Sequence, residues 1–154
     1  MATSTDRIEK KVLLKASRSR VWRALTNVAE FNAWFGVKLV GELAPGKSIR
    51  GNITAPGYDN LTMEIVVERM EAEKLYSYRW HPYAIDPKVD YSKEPTTLVE
   101  FHLEDGAGEG GGTQLTIVES GFDKLPAARR DEAFRMNDGG WTQQAKNLEA
   151  HVAQ

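Results

Sequence analysis

The sequence predicts one α+β domain, residues 1–154, of short strands, two short helices after the first strand and one long C-terminal helix. Three observations carry that reading. Apolar residues alternate with polar ones in short runs between Ile8 and Ile117, the period of half-buried strands. Two short helical segments interrupt these runs directly after the first. One apolar stripe, Phe134, Trp141, Ala145, Leu148 and Val152, recurs at helical spacing near the end. Strand, two short helices, several strands and one long helix is an α+β order, and no internal repeat is present.

Each element follows from its own pattern. Ile8, Val12 and Leu14 share a parity that only Lys10 interrupts, so the first strand has one buried face. Ser17 suits a helix N-cap because its hydroxyl accepts from first-turn amides, and Val21, Trp22 and Leu25 follow at helical spacing. A second helix spans Val28 to Trp34, with Phe31, Trp34 and Phe35 as its apolar side and Gly36 closing it. The period then becomes two. Val37, Leu39 and Leu43 share one face, Ala44-Pro45-Gly46 turns the chain, and Ile49, Gly51 and Ile53 form the next face. Pro56-Gly57 and Asp59-Asn60 mark another turn before Leu61, Met63, Ile65 and Val67.

Glu71 to Lys74 is a tight connection, after which Tyr76, Tyr78 and Trp80 line one face and Ser77 and Arg79 the other. His81 to Pro95 shows no period and holds three prolines, a long loop of the kind that caps or binds something. Val99, Phe101 and Leu103 resume the alternation, Gly106 to Gly112 is a glycine-rich hairpin connection, and Leu115 and Ile117 form the last strand. Pro126 suits the first turn of the final helix. Gly139-Gly140 interrupts that helix at about 1 kcal/mol per glycine relative to alanine, which predicts a kink, a local break or a close neighbour.

Composition narrows the function. A net charge of −2 gives no broad attraction for nucleic acid or an anionic membrane. The chain has no cysteine, which excludes disulfides, thiolate nucleophiles and thiolate metal sites. Met1 to Glu9 contain no apolar run that reads as a signal peptide, and no stretch approaches the ~20 apolar residues of a spanning helix. A cytoplasmic protein is expected.

Several short pieces, in this order and spacing, resemble the START-like (Bet v 1-like, SRPBCC) superfamily with its helix-grip fold. Within it the chain is similar to single-domain members of the family named after the activator of Hsp90 ATPase. The pieces are Ala16-Ser17 leading into Val21-Trp22-Arg23-Ala24-Leu25-Thr26, then Trp34-Phe35, and Tyr78-Arg79-Trp80. They continue with Thr97 to Phe101, Gly112 to Leu115, Glu119-Ser120-Gly121-Phe122, Gly139-Gly140-Trp141 and Asn147-Leu148. The resemblance implies a curved antiparallel sheet wrapped around the long C-terminal helix, and between them an apolar cavity that is a pocket for an apolar or aromatic small molecule. It also implies that the chain does not stimulate Hsp90 by itself, because activators that do so carry a further N-terminal domain.

The aromatic set Trp22, Trp34, Tyr76, Tyr78, Trp80, Phe101, Phe134 and Trp141 either lines such a pocket or fills the core. Tyr78, Trp80 and Trp141 are the strongest candidates for the wall, since the resemblance sets the sheet and long helix face to face. Trp34, Met63, Phe101 and Phe134 complete the apolar candidates. Glu119 shares parity with Leu115 and Ile117 and should point inward, where a carboxylate without a partner is costly. It either anchors a ligand or acts as a base, or else an ion pair or a bulge relieves it, with Arg69 and Arg79 as possible partners. His81 stands at the mouth of the long loop, as a ligand donor or a plain capping residue. His102 and His151 are expected at the surface, and Asp131, Glu132 and Asp138 on the solvated side of the helix.

No triad, nucleophile elbow or metal-ligand spacing is present, so no cofactor and no metal are expected. The leading function is therefore non-enzymatic binding of a small apolar or aromatic molecule, by a monomer or homodimer. A co-chaperone-type interaction domain is the alternative, and a cofactor-free cyclase or hydrolase of aromatic substrates a further one.

Overall fold

The parity of apolar residues becomes one continuous sheet in the computed structural model, which describes residues 6–54, 61–83, 88–106 and 112–153. Its strands are β1 (Arg7–Leu14), β2 (Val37–Val40), β3 (Ser48–Ile53), β4 (Thr62–Glu71), β5 (Leu75–Trp80), β6 (Thr97–Asp105) and β7 (Thr113–Ser120). Among the described residues these seven form a single antiparallel sheet in the order β1-β7-β6-β5-β4-β3-β2. Strands β2 to β7 follow one another as a meander, and β7 closes on β1 with Ile8 opposite Glu119 and Val12 opposite Leu115. A register shift between Val67 and Arg69 bends β4 and adds to the sheet's curvature.

Two short helices, α1 (Arg18–Thr26) and α2 (Val28–Phe35), fill the crossover from β1 to β2. Ser17 caps α1 by accepting from the Arg20 amide at 3.2 Å, and Asn27 caps α2 by accepting from Glu30 at 3.1 Å. Gly36 ends α2 at φ 90°, a conformation that costs glycine nothing and a side chain 1–2 kcal/mol or so. The Trp34 indole donates to the Ala24 carbonyl at 2.8 Å, and the Asn32 amide bonds both N–H and C=O of Leu39 at 3.1 Å. These contacts fix α2 against α1 and against the start of β2.

The long helix α3 (Ala127–Val152) lays Ala133, Trp141, Leu148 and Val152 into one apolar cluster with Ile65, Val67, Tyr78, Phe101 and Ile117. Gln144 ties it to α2 by donating to the Phe35 carbonyl at 2.9 Å. A long helix gripped by a curved antiparallel sheet, with two short helices after the first strand, is the expected helix-grip architecture. No helix among the described residues is long and apolar enough to cross a membrane.

The structure corrects several local expectations. Pro126 stands just before α3 instead of within its first turn. Helix α3 runs without a break through Gly139-Gly140, and a Cβ built on either glycine meets nothing within 4 Å. The pair therefore does not interrupt the helix, and no protein group packs closely on it among the described residues; packing of Ala133 and Trp141 on either side outweighs its poor propensity. His151 is half-buried, because the end of α3 converges on α1 and α2 and its Nε2 lies 3.0 Å from Glu30. Burial alone would raise the Glu30 pKa, but hydrogen bonds from His151 and Arg20 hold it below the usual carboxylate value.

The connection from His81 to Pro95 contains one 3-10 turn at Tyr91–Lys93, capped by Asp90, and residues 84–87 lie outside the described part. The expected turn at residues 56–60 and most of the glycine-rich connection, residues 107–111, also lie outside it.

Candidate ligand-binding site

Strand β7 delivers Glu119 to the inner face next to Val99 of β6 and Ile8 of β1, as its parity requires. The carboxyl is fully buried, and among the described residues no cation pairs with it. Neutral donors converge on it instead. Oε1 accepts from the Trp141 indole at 2.8 Å and from Asn137 Nδ2 at 2.9 Å. Oε2 accepts from the Trp80 indole at 2.7 Å and from the Thr97 hydroxyl at 2.5 Å. Arg69 and Arg79 are engaged elsewhere, with Glu71 and Glu68. Burial pushes the Glu119 pKa up, and the bonds from Thr97, Trp141, Trp80 and Asn137 oppose that shift. Of these four partners the two indole N–H groups only donate, whereas the Thr97 hydroxyl can rotate to accept a proton of the neutral acid from Oε2.

The cage locks two indoles into a floor. Trp80 and Trp141 have ring centroids 5.8 Å apart, and Phe35 meets both edge-on at 6.1 Å. Above this floor lies a cleft open to solvent, in two adjoining lobes. The inner lobe, about 120 Å³, is lined by Phe35, Trp80, Asn137, Gly140, Trp141 and Gln144. The outer lobe, about 480 Å³, shares Phe35, Asn137, Gly140 and Gln144 and adds Ile53, Tyr83 and Arg135 among others. The glycine pair of α3 thus leaves room above the rings.

Of the residues expected at a site, Trp80 and Trp141 line this cleft, and Glu119 braces them from beneath without opening onto it. Tyr78 and Phe101 lie one layer deeper, wholly buried and 6.1 Å apart, and Trp34 and Met63 are also core residues. Phe134 packs edge-on against Phe122 at 5.2 Å. His81 Nε2 sits 3.1 Å from the Glu94 carbonyl. The space is a cleft open to solvent beside the middle of α3.

Phe35, Asn137, Gln144 and Tyr83 are additions from the structure. Asn137 and Gln144 flank Trp141 at intervals of four and three, so the helical stripe already contained the signal. Tyr83 is held in the left-handed region at φ 50°, a strained position for a bulky side chain. Arg129 holds that stretch: it forms a two-pronged pair with Glu94, closest at 2.7 Å, donates to the carbonyls of Pro82 and Tyr83, and lies over the Tyr91 ring.

Among the described residues no group of three or more acidic or histidine side chains is placed to hold a metal ion. The hydroxyls of Tyr76 and Tyr78 are buried with no hydrogen-bond partner among the described residues, and burial raises both phenols well above their ordinary pKa.

Comparison with solved structures finds the same architecture in proteins of low identity. MLL2253 from Mesorhizobium loti superposes with a TM-score of 0.73 at 22% identity, covering 96% of each chain. NE0264 from Nitrosomonas europaea gives 0.74 at 18% identity, covering 100% of this chain and 98% of its own. The Aha1 dimer from Colwellia psychrerythraea gives 0.69 at 16% identity, covering 95% of each. No curated protein matches the chain significantly. The family model described as activator of Hsp90 ATPase homolog 1-like protein matches residues 15–153, nearly the full length, and the chain belongs to that family.

Proposed function

We propose that this chain binds a small planar aromatic molecule in the two-lobed cleft between α2 and α3, without chemistry of its own. One observation carries the reading: two tryptophans from opposite walls, Trp80 and Trp141, are held by a single buried carboxyl so that their rings floor an open space. Pre-set rings stack a flat ligand without first losing rotamer freedom. The larger lobe falls within the ~300–1,000 Å³ of small-molecule pockets. A protein-binding role would favour a contiguous apolar patch, whereas among the described residues the exposed large apolar side chains Leu13, Val40, Val66, Val89 and Met136 stand on five separate segments.

Titration of the isotope-labelled chain with 2-naphthol, followed by NMR, tests the proposal. Saturable shifts are expected at the Trp80 and Trp141 indole N–H groups and at Gly140. Shifts confined to other surfaces, or none at millimolar probe, would overturn it. Native mass spectrometry of the protein purified from its source would then identify the molecule that travels with it.

A further inference from the structure

The polar groups around the cleft restrict what the aromatic ligand carries. Arg135 lines the outer lobe and, among the described residues, its guanidinium makes no hydrogen bond or ion pair. The carboxylates nearest in sequence do not neutralise it. Asp138 pairs with Lys10 at 2.9 Å, and Asp131 and Glu132, one turn earlier on α3, form no ion pair with it. No acidic residue lines either lobe among the described residues. A guanidinium beside an apolar cleft with no acid in the lining favours an anion, best a planar one that can take two N–H donors at once.

Asn137 supplies the complementary feature. Its Nδ2 donates to Glu119 Oε1 at 2.9 Å. The carbonyl oxygen therefore faces away from the cage, on a residue that lines both lobes. It can accept from a hydroxyl. Gln144 offers no such choice, since its amide nitrogen is engaged with Phe35 and its oxygen with Asn147.

Building on the proposed aromatic-binding role, we infer that the ligand is an aromatic carboxylic acid with a ring hydroxyl, its carboxylate on Arg135 and its hydroxyl on the Asn137 carbonyl, the ring over Trp80 and Trp141. The probes are 2-naphthoate, 6-hydroxy-2-naphthoate and the neutral 2-naphthalenemethanol, compared by calorimetry at low salt. Because Arg135 is exposed, the carboxylate is expected to gain about fivefold in affinity over the alcohol. The hydroxy acid should bind tighter than the plain acid. R135M, which keeps an unbranched apolar stem, should bring naphthoate down to the level of the alcohol, and R135K should restore part of the difference; thermal melts verify that both variants are folded. Alcohol binding as tight as naphthoate, or R135M binding naphthoate like the unaltered chain, overturns this inference and leaves the aromatic cleft standing. Failure of all three probes to bind the folded chain overturns both.

Discussion

Trp80 and Trp141, one at the end of β5 and the other midway along α3, are joined at their indole nitrogens through the two oxygens of one carboxyl. Trp80 donates to Oε2 of Glu119 at 2.7 Å and Trp141 to Oε1 at 2.8 Å. A buried acid is commonly relieved by a cation; here it is relieved by dipoles, which leaves its charge state open to pH.

Glu119→Gln should therefore do two things. Whichever way the amide is turned, its NH2 faces an indole N–H, and a loss of about 1–3 kcal/mol is expected in urea unfolding. The raised pKa means that the folded chain keeps its proton to higher pH than the unfolded chain. Its stabilising contribution is complete below the usual carboxylate range and is lost as pH rises through the raised value. The variant's stability profile should lack that decline. An unaltered stability and slope would show that the cage carries no energy.

Glu30 gives the opposite slope. Its pKa is lowered, so its contribution is present above the ordinary carboxylate value and disappears as pH falls through the lowered one. His151→Ala removes one of its partners and should cost about 1 kcal/mol, shifting acid unfolding to higher pH. Coincident acid transitions for variant and native chain would contradict this.

Tyr76→Phe and Tyr78→Phe each delete a buried hydroxyl that has no partner among the described residues. Both variants should gain about 1 kcal/mol, read as a higher melting temperature. A loss of similar size would reveal a hydrogen bond that the described geometry does not contain.

Gly140 separates stability from binding. A methyl group there meets nothing within 4 Å, so G140A should gain up to about 1 kcal/mol from helix propensity. G140L extends over the ring floor and should weaken 2-naphthol binding at least about tenfold, because its side chain takes space that the naphthalene ring would fill. Undiminished probe binding by folded G140L would place the ligand elsewhere.

Arg129→Ala removes the clamp on the connection around Tyr83. Amide exchange at residues 91–94 should accelerate while the centres of β6 and β7 stay protected. In the native chain, a connection that acts as a flap should gain protection over residues 81–83 and 88–95 when the cleft is filled. Protection confined to α3 and β5 would leave the connection a fixed wall.

Much of this was legible in the residues. Period two placed the strand faces, and the inward direction of Glu119 followed from Leu115 and Ile117. What faces the carboxyl was not legible, because its donors come from β5, β6 and α3, 18 to 39 residues away. Arg69 and Arg79 were the natural partners on paper, yet neighbouring acids on the outer face take them first. Parity also cannot tell depth. Tyr78 and Trp80 share a face, but Tyr78 lies under the stack while Trp80 is half-buried where β5 ends. Tyr83 was invisible because its place depends on the Arg129 clamp, which no periodicity encodes.

The Glu119 cage also bears on how the chain finds its docking position. Apolar contact is non-directional, and a helix lying in a curved sheet finds comparable burial when slid along its axis. A slide of one turn carries Asn137 and Trp141 about 5.4 Å, beyond hydrogen-bond range of the carboxyl. Every such slipped arrangement leaves Oε1 of a buried carboxyl without its donors. Glu119 thus works as a keyway cut into the sheet: greasy surfaces draw the helix in, and the carboxyl admits it at one notch.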